Sequence, residues 1–265
     1  LISKPLGDAL GVSVVVENRP GAAGNAGATL VATSTDAHTV LLSDIGSLVI
    51  SPLMLQNLSY KAGDLRGVAM LAYSPYLFAV NPQVPARTLS ELVAFSKTAP
   101  LNVASSGTGS PNHLGCVEIA EATGMRWQHV PYKGGAQAIA DTAAGATQVV
   151  LNGMLATLPL VQSGKLRAVG ISRRTRSPLM PDLATIAEQG IKDFEAGTYQ
   201  GVVCPKSMPR AAVDRLSTAL IQIARTPEIR ARLTEAGAEV MTMSPPEVDG
   251  FMESERKRWS SLIQR

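Results

Sequence analysis

The chain has 265 residues, of which 45% are hydrophobic, 17% are charged and 4% are aromatic, and its formal net charge is +3. This composition excludes a disordered chain, because there is enough apolar side chain to bury a core, and the length favours two domains over one. Lys and Arg are scattered and aromatic rings are few, so no nucleic-acid partner is expected. No apolar run approaches the ~20 residues that span a bilayer.

The cysteines and histidines do not form a recognisable metal or redox motif. Cys116 and Cys204 are far apart in sequence, and their positions allow either two buried thiols or a disulfide. The three histidines, at positions 38, 113 and 129, lack the spacing of metal ligands. We therefore expect neither a metal nor another cofactor.

The first eleven residues have the pattern of the last turns of an amphipathic helix that stops at Gly11. The chain is thus expected to begin inside an element. A secretory signal, a first strand and a glycine-rich loop are the segments that we expect upstream of it.

From residue 12 onward, short apolar runs alternate with helical patterns. Val12 to Val16 is a β-branched run that predicts a strand, and the turn Asn18 to Gly21 leads into an alanine-rich helix that ends near Ala32. The next predicted elements are strand 39–42, helix 45–55, strands 67–72 and 77–80, and helix 90–97. Thr88 and Glu91 have the spacing of a capping box at the start of that last helix.

The middle of the chain alternates regularly between strands and helices. The predicted strands are 101–104, 128–130, 148–151 and 166–171, and the predicted helices are 109–123, 136–144 and 154–162. Such alternation is typical of parallel βαβ units. After a strand at 198–203 the chain is mostly helical, with helices 209–224, 227–236 and 245–264 and a short strand 239–241.

This order of elements predicts an α/β protein of two lobes. Lobe 1 is expected to comprise residues 1–82 and 203–265, and lobe 2 residues 83–202, so that the chain crosses between lobes twice. Ligands of open α/β sheets bind outside the carboxyl ends of the strands. We therefore expect a ligand cleft between the lobes.

The most informative loop is SSGTGSPNH, which begins at Ser105 between a predicted strand and a predicted helix. Four hydroxyls and two glycines stand where the unpaired N–H groups and dipole of a helix favour an anion. An ordinary capped turn is the alternative interpretation of this pattern. The loop is neither a P-loop nor a dinucleotide motif, because the GK[ST] ending and the last glycine of GxGxxG are absent.

Three further junctions follow predicted strands. Two contain glycines that let the backbone approach a ligand: 131–135 (PYKGG) and 151–153 (LNG). The third is 44–47 (DIGS), where Asp44 is expected to cap a helix.

No catalytic arrangement stands out. The G-x-S-x-G turn of serine hydrolases is absent, His113 lies on the helix that follows its own loop, and no loop pairs two carboxylates. We therefore predict that the protein is not an enzyme.

Several segments in order resemble the Bug-type, TctC-like substrate-binding receptors of tripartite tricarboxylate transporters. They include VVVENRPGAAGNAGA (14–28), SSGTGSPNHL (105–114) and HVPYKGGAQAIAD (129–141), and the resemblance covers nearly the whole chain. It implies a periplasmic protein with the two-lobe type II binding-protein fold, lacking here its N-terminal strand and first loop. It also implies a small organic acid as ligand and the transporter's membrane permease subunits as partners.

The resemblance also implies which residues bind the ligand, through hydroxyls and main-chain N–H groups. These expected ligand-binding residues are Ser47, Ser105, Ser106, Thr108, Gly109, Ser110, Tyr132, Lys133, Gly134, Gly135 and Asn152. The chain departs from the family at Asn152, where an aspartate is common, and at Leu48, where a histidine is common. Losing the acid weakens any contact with a ligand ammonium, so a plain carboxylate is favoured over an amino acid.

Two other functions fit the same architecture. One is the effector-binding domain of a LysR-type regulator, which would carry a DNA-binding domain upstream. The other is an enzyme on the same scaffold, which would turn over its ligand.

Overall fold

A computed structural model describes residues 1–263 and divides them into two compact units. Unit 1 comprises residues 1–73, 199–234 and the chain from 239 onward, and unit 2 comprises residues 74–198 and 235–238. The main crossings thus lie after Tyr73 and after Thr198. Both crossings precede the expected boundaries, 82 and 202. The first lies within the strand Leu65–Val80 and the second within the strand Gly197–Pro205, so each of these strands contributes to both units.

The chain forms ten α-helices, two short 3-10 helices (Ala22–Gly24 and Ala62–Asp64) and eight strands within the described residues. The helices are α1 (Ser3–Leu10), α2 (Asn25–Ala32), α3 (Ile45–Met54), α4 (Leu89–Ser96), α5 (Pro111–Thr123), α6 (Gly135–Ala143), α7 (Met154–Gln162), α8 (Arg210–Arg225), α9 (Pro227–Glu235) and α10 (Pro245–Ile263). The strands are β1 (Leu41–Asp44), β2 (Leu65–Val80), β3 (Leu101–Ser105), β4 (Trp127–Pro131), β5 (Val149–Gly153), β6 (Arg167–Ile171), β7 (Gly197–Pro205) and β8 (Glu239–Met243). Gln264, the predicted last residue of α10, lies outside the described residues.

The strands of unit 1 pair mainly in the antiparallel direction. β1 pairs with β7, and the first part of β2 pairs with β8. Ile45 of α3, Met70 of β2, Val203 of β7 and Val248 of α10 are fully or almost fully buried and belong to one apolar cluster. The sheet of unit 1 is therefore covered by helices from both ends of the chain.

Unit 2 contains the parallel strands that the alternating pattern predicts. β3 pairs in parallel with both β4 and β5, while the second part of β2 pairs in the antiparallel direction with β5 and β6. Phe78, Leu92, Ile119 and Phe194 are all buried in its largest apolar cluster. Burial on both faces explains why β2, β3 and β5 are so apolar in sequence.

β2 differs from the expectation of two separate strands. It runs without a break from Leu65 to Val80, through residues 73–76 that separate the two predicted strands. Two hydrogen bonds to side chains stabilise this part of the strand. Tyr76 N–H donates to Ser172 Oγ (2.7 Å), and Leu155 N–H donates to Ser74 Oγ (3.0 Å). The sequence does not reveal these partners, which are distant in the chain.

The predicted strand at Val12 to Val16 was wrong. This segment has no regular secondary structure, and the side chains of Val15 and Val16 are 87% and 67% exposed. A β-branched run has high strand propensity, but a strand forms only where a partner strand is available. The end of the preceding helix was predicted correctly, because Gly11 has the left-handed conformation (φ 69°) of a helix stop.

The capping box before α4 forms with one altered partner. Thr88 accepts the N–H of Glu91 (3.2 Å), as predicted. The Glu91 carboxylate accepts the N–H of Arg87 (2.6 Å) where a standard box would use that of Thr88.

The two cysteines are free and buried, which confirms the interpretation as two apolar thiols. Burial raises the pKa of the Cys116 thiol well above its usual range. Within residues 1–263, no helix is both long and apolar enough to cross a membrane.

Gly201 of β7 permits close packing inside unit 1. A Cβ at this position would lie 3.0 Å from the carbonyl oxygen of Ala69 and 2.8 Å from Cγ1 of Ile45. We expect Gly201→Ala to lower the free energy of unfolding by about 1 to 3 kcal/mol, because the strand and α3 must move apart. Denaturation followed by circular dichroism measures this loss.

Gly63→Ala is the matched control, since a Cβ at Gly63 has open space around it. Equal stability of the two variants would show that β7 can shift at little cost.

Candidate functional site

Three parallel strands of unit 2 end at the same edge of its sheet. β3 ends at Ser105, β4 at Pro131 and β5 at Gly153, and Ser105 pairs with Pro131 across the ladder. The N–H of Tyr132 donates to the carbonyl oxygen of Ser105 (3.0 Å), which joins the first two loops. Because β3, β4 and β5 run in one direction, the loops that follow them meet.

A helix begins directly after each of these loops. The N-cap residues of α5, α6 and α7 are Ser110, Gly134 and Gly153, and none of them makes a side-chain capping hydrogen bond. By contrast, Thr88 caps α4 and Asp44 caps α3. The first turn of a helix leaves N–H donors without partners, and these donors attract an anion. The sheet edge therefore carries three helix starts with no N-cap side chain to occupy their donors.

Two hydroxyls of the Ser105 to Ser110 loop turn inward. Ser105 and Ser110 are each 1% exposed. Ser110 Oγ donates to the carbonyl of Gly107 (2.6 Å), while Ser105 Oγ accepts the N–H of the same residue (3.1 Å). Gly107 (φ 133°) and Gly109 (φ 75°) adopt conformations that disfavour other residues. These two serines hold the shape of the loop from inside.

The other two hydroxyls of this loop are accessible. Ser106 is half-buried and Thr108 is exposed. The Ser106 hydroxyl donates to Asn112 Oδ1 (2.9 Å), which leaves its oxygen able to accept a further bond. Thr108 has no hydrogen-bond partner for its hydroxyl within the described chain. Of the four hydroxyls, Thr108 is thus the most available donor for a ligand.

Asn112 is an organising residue that the sequence analysis did not select. Its side chain is 2% exposed, and its Nδ2 donates to the carbonyl of Leu151 in β5 (3.0 Å). Its Oδ1 accepts a hydrogen bond from Ser106 Oγ (2.9 Å) and lies 2.5 Å from Ser110 Oγ, which shares its single proton between this oxygen and the Gly107 carbonyl. One amide thus ties the first loop to the end of a second strand. The available signal was an asparagine in the first turn of a helix, where it bonds readily to nearby loop groups.

The second and third loops are also tied together. Asn152 Nδ2 donates to the carbonyl of Gly135 (3.3 Å), and a Cβ at Gly135 would lie 2.5 Å from that nitrogen. Only glycine therefore fits at position 135 without displacing Asn152. The Lys133 side chain is exposed. Burial and a hydrogen bond to the Asp141 carboxylate raise the pKa of Tyr132, so its hydroxyl faces α6.

Ser47 belongs to unit 1, whereas the other ten predicted residues belong to unit 2. It lies in the first turn of α3, directly after Asp44 at the end of β1. The Asp44 carboxylate accepts the N–H groups of Gly46 (3.0 Å) and Tyr199 (3.2 Å). Asp44 therefore caps α3, as predicted, and also holds β7.

No group of three or more His, Cys, Asp or Glu side chains within residues 1–263 could hold a metal ion. The chemistry that the sheet edge of unit 2 offers is hydrogen-bond donation from neutral groups.

A comparison with family models decides the classification. Residues 2–265 match the model described as "Tripartite tricarboxylate transporter family receptor". The chain belongs to this family. The resemblance inferred from the ENRPG, SSGTGS and PYKGG segments is thereby confirmed. A family of receptors is favoured over the effector-binding domain of a transcriptional regulator.

Solved structures support both the fold and the family. A Rhodopseudomonas palustris protein, Rpa4515 "with adipate", is 28% identical with a TM-score of 0.94, covering 99% of this chain and 89% of the other. MatC from the same organism, "with bound malate", is 27% identical with a TM-score of 0.93, covering 99% and 92%. The "periplasmic binding protein BugD" is 28% identical with a TM-score of 0.94, covering 99% and 90%. The predicted α/β binding-protein fold is therefore confirmed.

The Asp44 carboxyl gives this receptor a pH-dependent stability. Burial, and secondarily the negative charge of Glu255, raise the pKa of Asp44 to about 7. The folded state thus holds this proton more tightly than the unfolded state, and stability is lost as pH rises from about 4 to about 7. Asp44→Asn keeps an oxygen acceptor for Gly46 and Tyr199 but carries no charge.

We expect the stability of Asp44→Asn relative to the parent to be greater at pH 8.5 than at pH 4.5. A tenfold change in proton affinity corresponds to about 1.4 kcal/mol, and partial exposure reduces the effect, so the gain should be about 1 to 3 kcal/mol. Thermal unfolding of both proteins at the two pH values measures it. A stability difference that is the same at both pH values would contradict the raised pKa.

Proposed function

We propose that this receptor binds a small organic carboxylate outside the cytoplasm and delivers it unchanged to the membrane permease of a tripartite tricarboxylate transporter. The observation that carries the proposal is the set of three helix starts, α5, α6 and α7, at one sheet edge of unit 2. The first turns of α5 and α6 supply main-chain donors, whereas Leu155 N–H in the first turn of α7 already donates to Ser74 Oγ (3.0 Å). Free donors and the helix dipoles at one edge favour a carboxylate.

The proposed contacts are neutral donors at the accessible part of this edge. Thr108 supplies a free hydroxyl, and Gly134 and Gly135 let the ligand approach the backbone. Ser106 is half-buried and donates its proton to Asn112 Oδ1, so it contacts a carboxylate only if that proton turns to the ligand. Lys133 is exposed and serves mainly to raise the local positive potential. Ser47, in the first turn of α3 in unit 1, stays a predicted ligand contact. Ser105, Ser110, Tyr132 and Asn152 act by shaping these loops, since their polar groups already have protein partners.

The relatives support a carboxylate as the ligand class. One neighbour is described with adipate and another with malate, which are both dicarboxylates. The name of BugD as a periplasmic binding protein supports a periplasmic location for this chain. A receptor needs no nucleophile or acid–base pair. The Ser105 hydroxyl lies 2.6 Å from His129 Nε2 but is 1% exposed, so this pair is buried beneath the accessible hydroxyl and main-chain groups.

A ligand panel tests the proposal directly. Isothermal titration calorimetry with adipate, malate, citrate and glutamate, followed by mass analysis of the recovered ligand, should show binding of at least one plain carboxylate and no turnover. We expect glutamate to bind more weakly than the best dicarboxylate, because Asn152 offers no negative charge to an ammonium group. Turnover of any acid would overturn the receptor assignment.

Thr108 should be the most sensitive hydroxyl of the site. We expect Thr108→Val, which keeps the shape and removes the hydroxyl, to weaken binding of the tightest ligand by about tenfold or more. A hydrogen bond to a charged group contributes roughly 1.5 to 3 kcal/mol, and 1.4 kcal/mol is a factor of ten in affinity. Calorimetry with the same ligand gives the ratio.

Thr234→Val is the matched control, because Thr234 is exposed on α9 in unit 1. If both variants bind like the parent, the Thr108 hydroxyl does not contact the ligand.

A further inference from the structure

Two histidines stand behind the Ser105 to Ser110 loop. His113 lies in α5 and His129 in β4, and their rings stack with centroids 3.9 Å apart and planes inclined by 28°. The Trp127 ring lies about 6 Å from both, at 5.9 Å from His113 and 6.0 Å from His129. Both histidines are half-buried. The two rings are thus packed against each other inside unit 2 and are not a pair of solvated side chains.

Each histidine makes one hydrogen bond to the loop. His129 Nε2 lies 2.6 Å from Ser105 Oγ, the buried hydroxyl that shapes the turn at Gly107. His113 Nδ1 accepts the N–H of Gly109 (3.3 Å). The two contacts hold the beginning and the end of the segment that presents Ser106 and Thr108.

We propose that His113 and His129 are positioning residues that hold the Ser105 to Ser110 loop in its ligand-binding conformation. Neither is proposed to touch the ligand. The expected effect on ligand affinity rests on the proposed function, whereas the hydrogen bonds of His113 and His129 to the loop do not depend on it. Without either contact the loop, which contains two glycines with positive φ, samples more conformations. Ligand binding must then order the loop, and the entropy lost in doing so weakens the affinity.

The proposal requires the His113 ring to be neutral, whereas His129 can bond to Ser105 Oγ as donor or acceptor. Nδ1 of His113 can accept an N–H only when it carries a lone pair, so protonation of this ring breaks the bond to Gly109. Burial, and secondarily a positive charge on His129, lower the pKa of His113 to about 4. Burial also lowers the pKa of His129. The stacked pair therefore stays neutral at pH 7, and His129 is the titratable group that acts on His113.

The test uses pairs of variants that separate the hydrogen bond from ring packing. His113→Leu removes the acceptor, whereas His113→Asn places an oxygen near the position of Nδ1. His129→Leu removes the partner of Ser105, whereas His129→Gln places an amide near the position of Nε2. His38→Leu is the control, because His38 is exposed in unit 1.

The first readout needs no ligand. Amide hydrogen exchange at pH 7, followed by NMR at Gly109, should be about threefold to tenfold faster in His113→Leu than in the parent, and close to the parent in His113→Asn. Unchanged exchange in His113→Leu would overturn the proposal. Equal acceleration in the leucine and asparagine variants would also overturn it, because ring packing alone would then explain the effect.

The second readout is affinity for adipate or malate, whichever the parent binds. Both leucine variants should bind about threefold to tenfold more weakly, with recovery in His113→Asn and His129→Gln. Parent-like binding by both leucine variants would overturn the positioning role. If the parent binds no carboxylate in the panel, the proposed function fails, and Gly109 exchange still decides whether the histidines hold the loop.

A pH series separates positioning from a general effect on folding. The ratio of the dissociation constants of the parent and His113→Asn cancels the ionisation of the ligand. This ratio should be constant from pH 8 to about 5.5 and should rise below about 5, as His113 becomes protonated only in the parent. A ratio that stays constant down to pH 4 would contradict the requirement for a neutral His113. If His113→Leu does not fold, Gly109 exchange in the parent across the same pH range tests the same bond.

Discussion

The common direction of β3, β4 and β5 is the constraint on which the candidate site depends. Parallel strands place their carboxyl ends at one edge, and the right-handed crossovers that connect them start a helix at that same edge. In this chain the three helices that start there lack a capping side chain. Reversing any one of the three strands would move one set of N–H donors to the opposite edge.

The proposed site recognises a charge with neutral groups. Its loops contribute main-chain N–H groups and hydroxyls, and the one basic side chain, Lys133, is exposed. Neutral donors that are already fixed by the fold need little rearrangement when an anion arrives, which limits the entropy lost on binding. They also release the anion more readily than a buried arginine clamp, because no buried charge is left without a partner. A receptor that must hand over its ligand benefits from both properties.

A second layer of residues supports these donors. Asn112 connects the first loop to β5, Asn152 connects the third loop to the second, and the two histidines hold the first loop from behind. Residues that contact a ligand are held in place by partners whose own side chains are locked by packing. The first loop has several such partners although it contains two glycines, and this explains how a flexible sequence can present fixed donors.

Unit 1 shows the same use of a polar side chain at a strand end. Asp44 caps α3 and also binds the main chain of β7, and its burial raises its pKa although both hydrogen bonds lower it. The sequence analysis selected Asp44 as a helix cap from its position alone. It did not reveal the second partner, Tyr199, because a contact over that distance in sequence depends on how β1 and β7 pair.

The sequence by itself determined the alternation of strands and helices, since hydrophobic periodicity and end signals such as Gly11 and Thr88 act over a few residues. It also determined which loops follow the parallel strands, and its motifs identified the family. The tertiary structure alone decided that β2 is one strand and that Val12 to Val16 is none, because pairing depends on partners elsewhere in the chain. It alone decided which hydroxyls of the SSGTGS loop face inward and which remain accessible. The contacts that fix this arrangement include Asn112 with Leu151 of β5 and His129 of β4 with Ser105 of β3, and these form only where the three strands lie side by side.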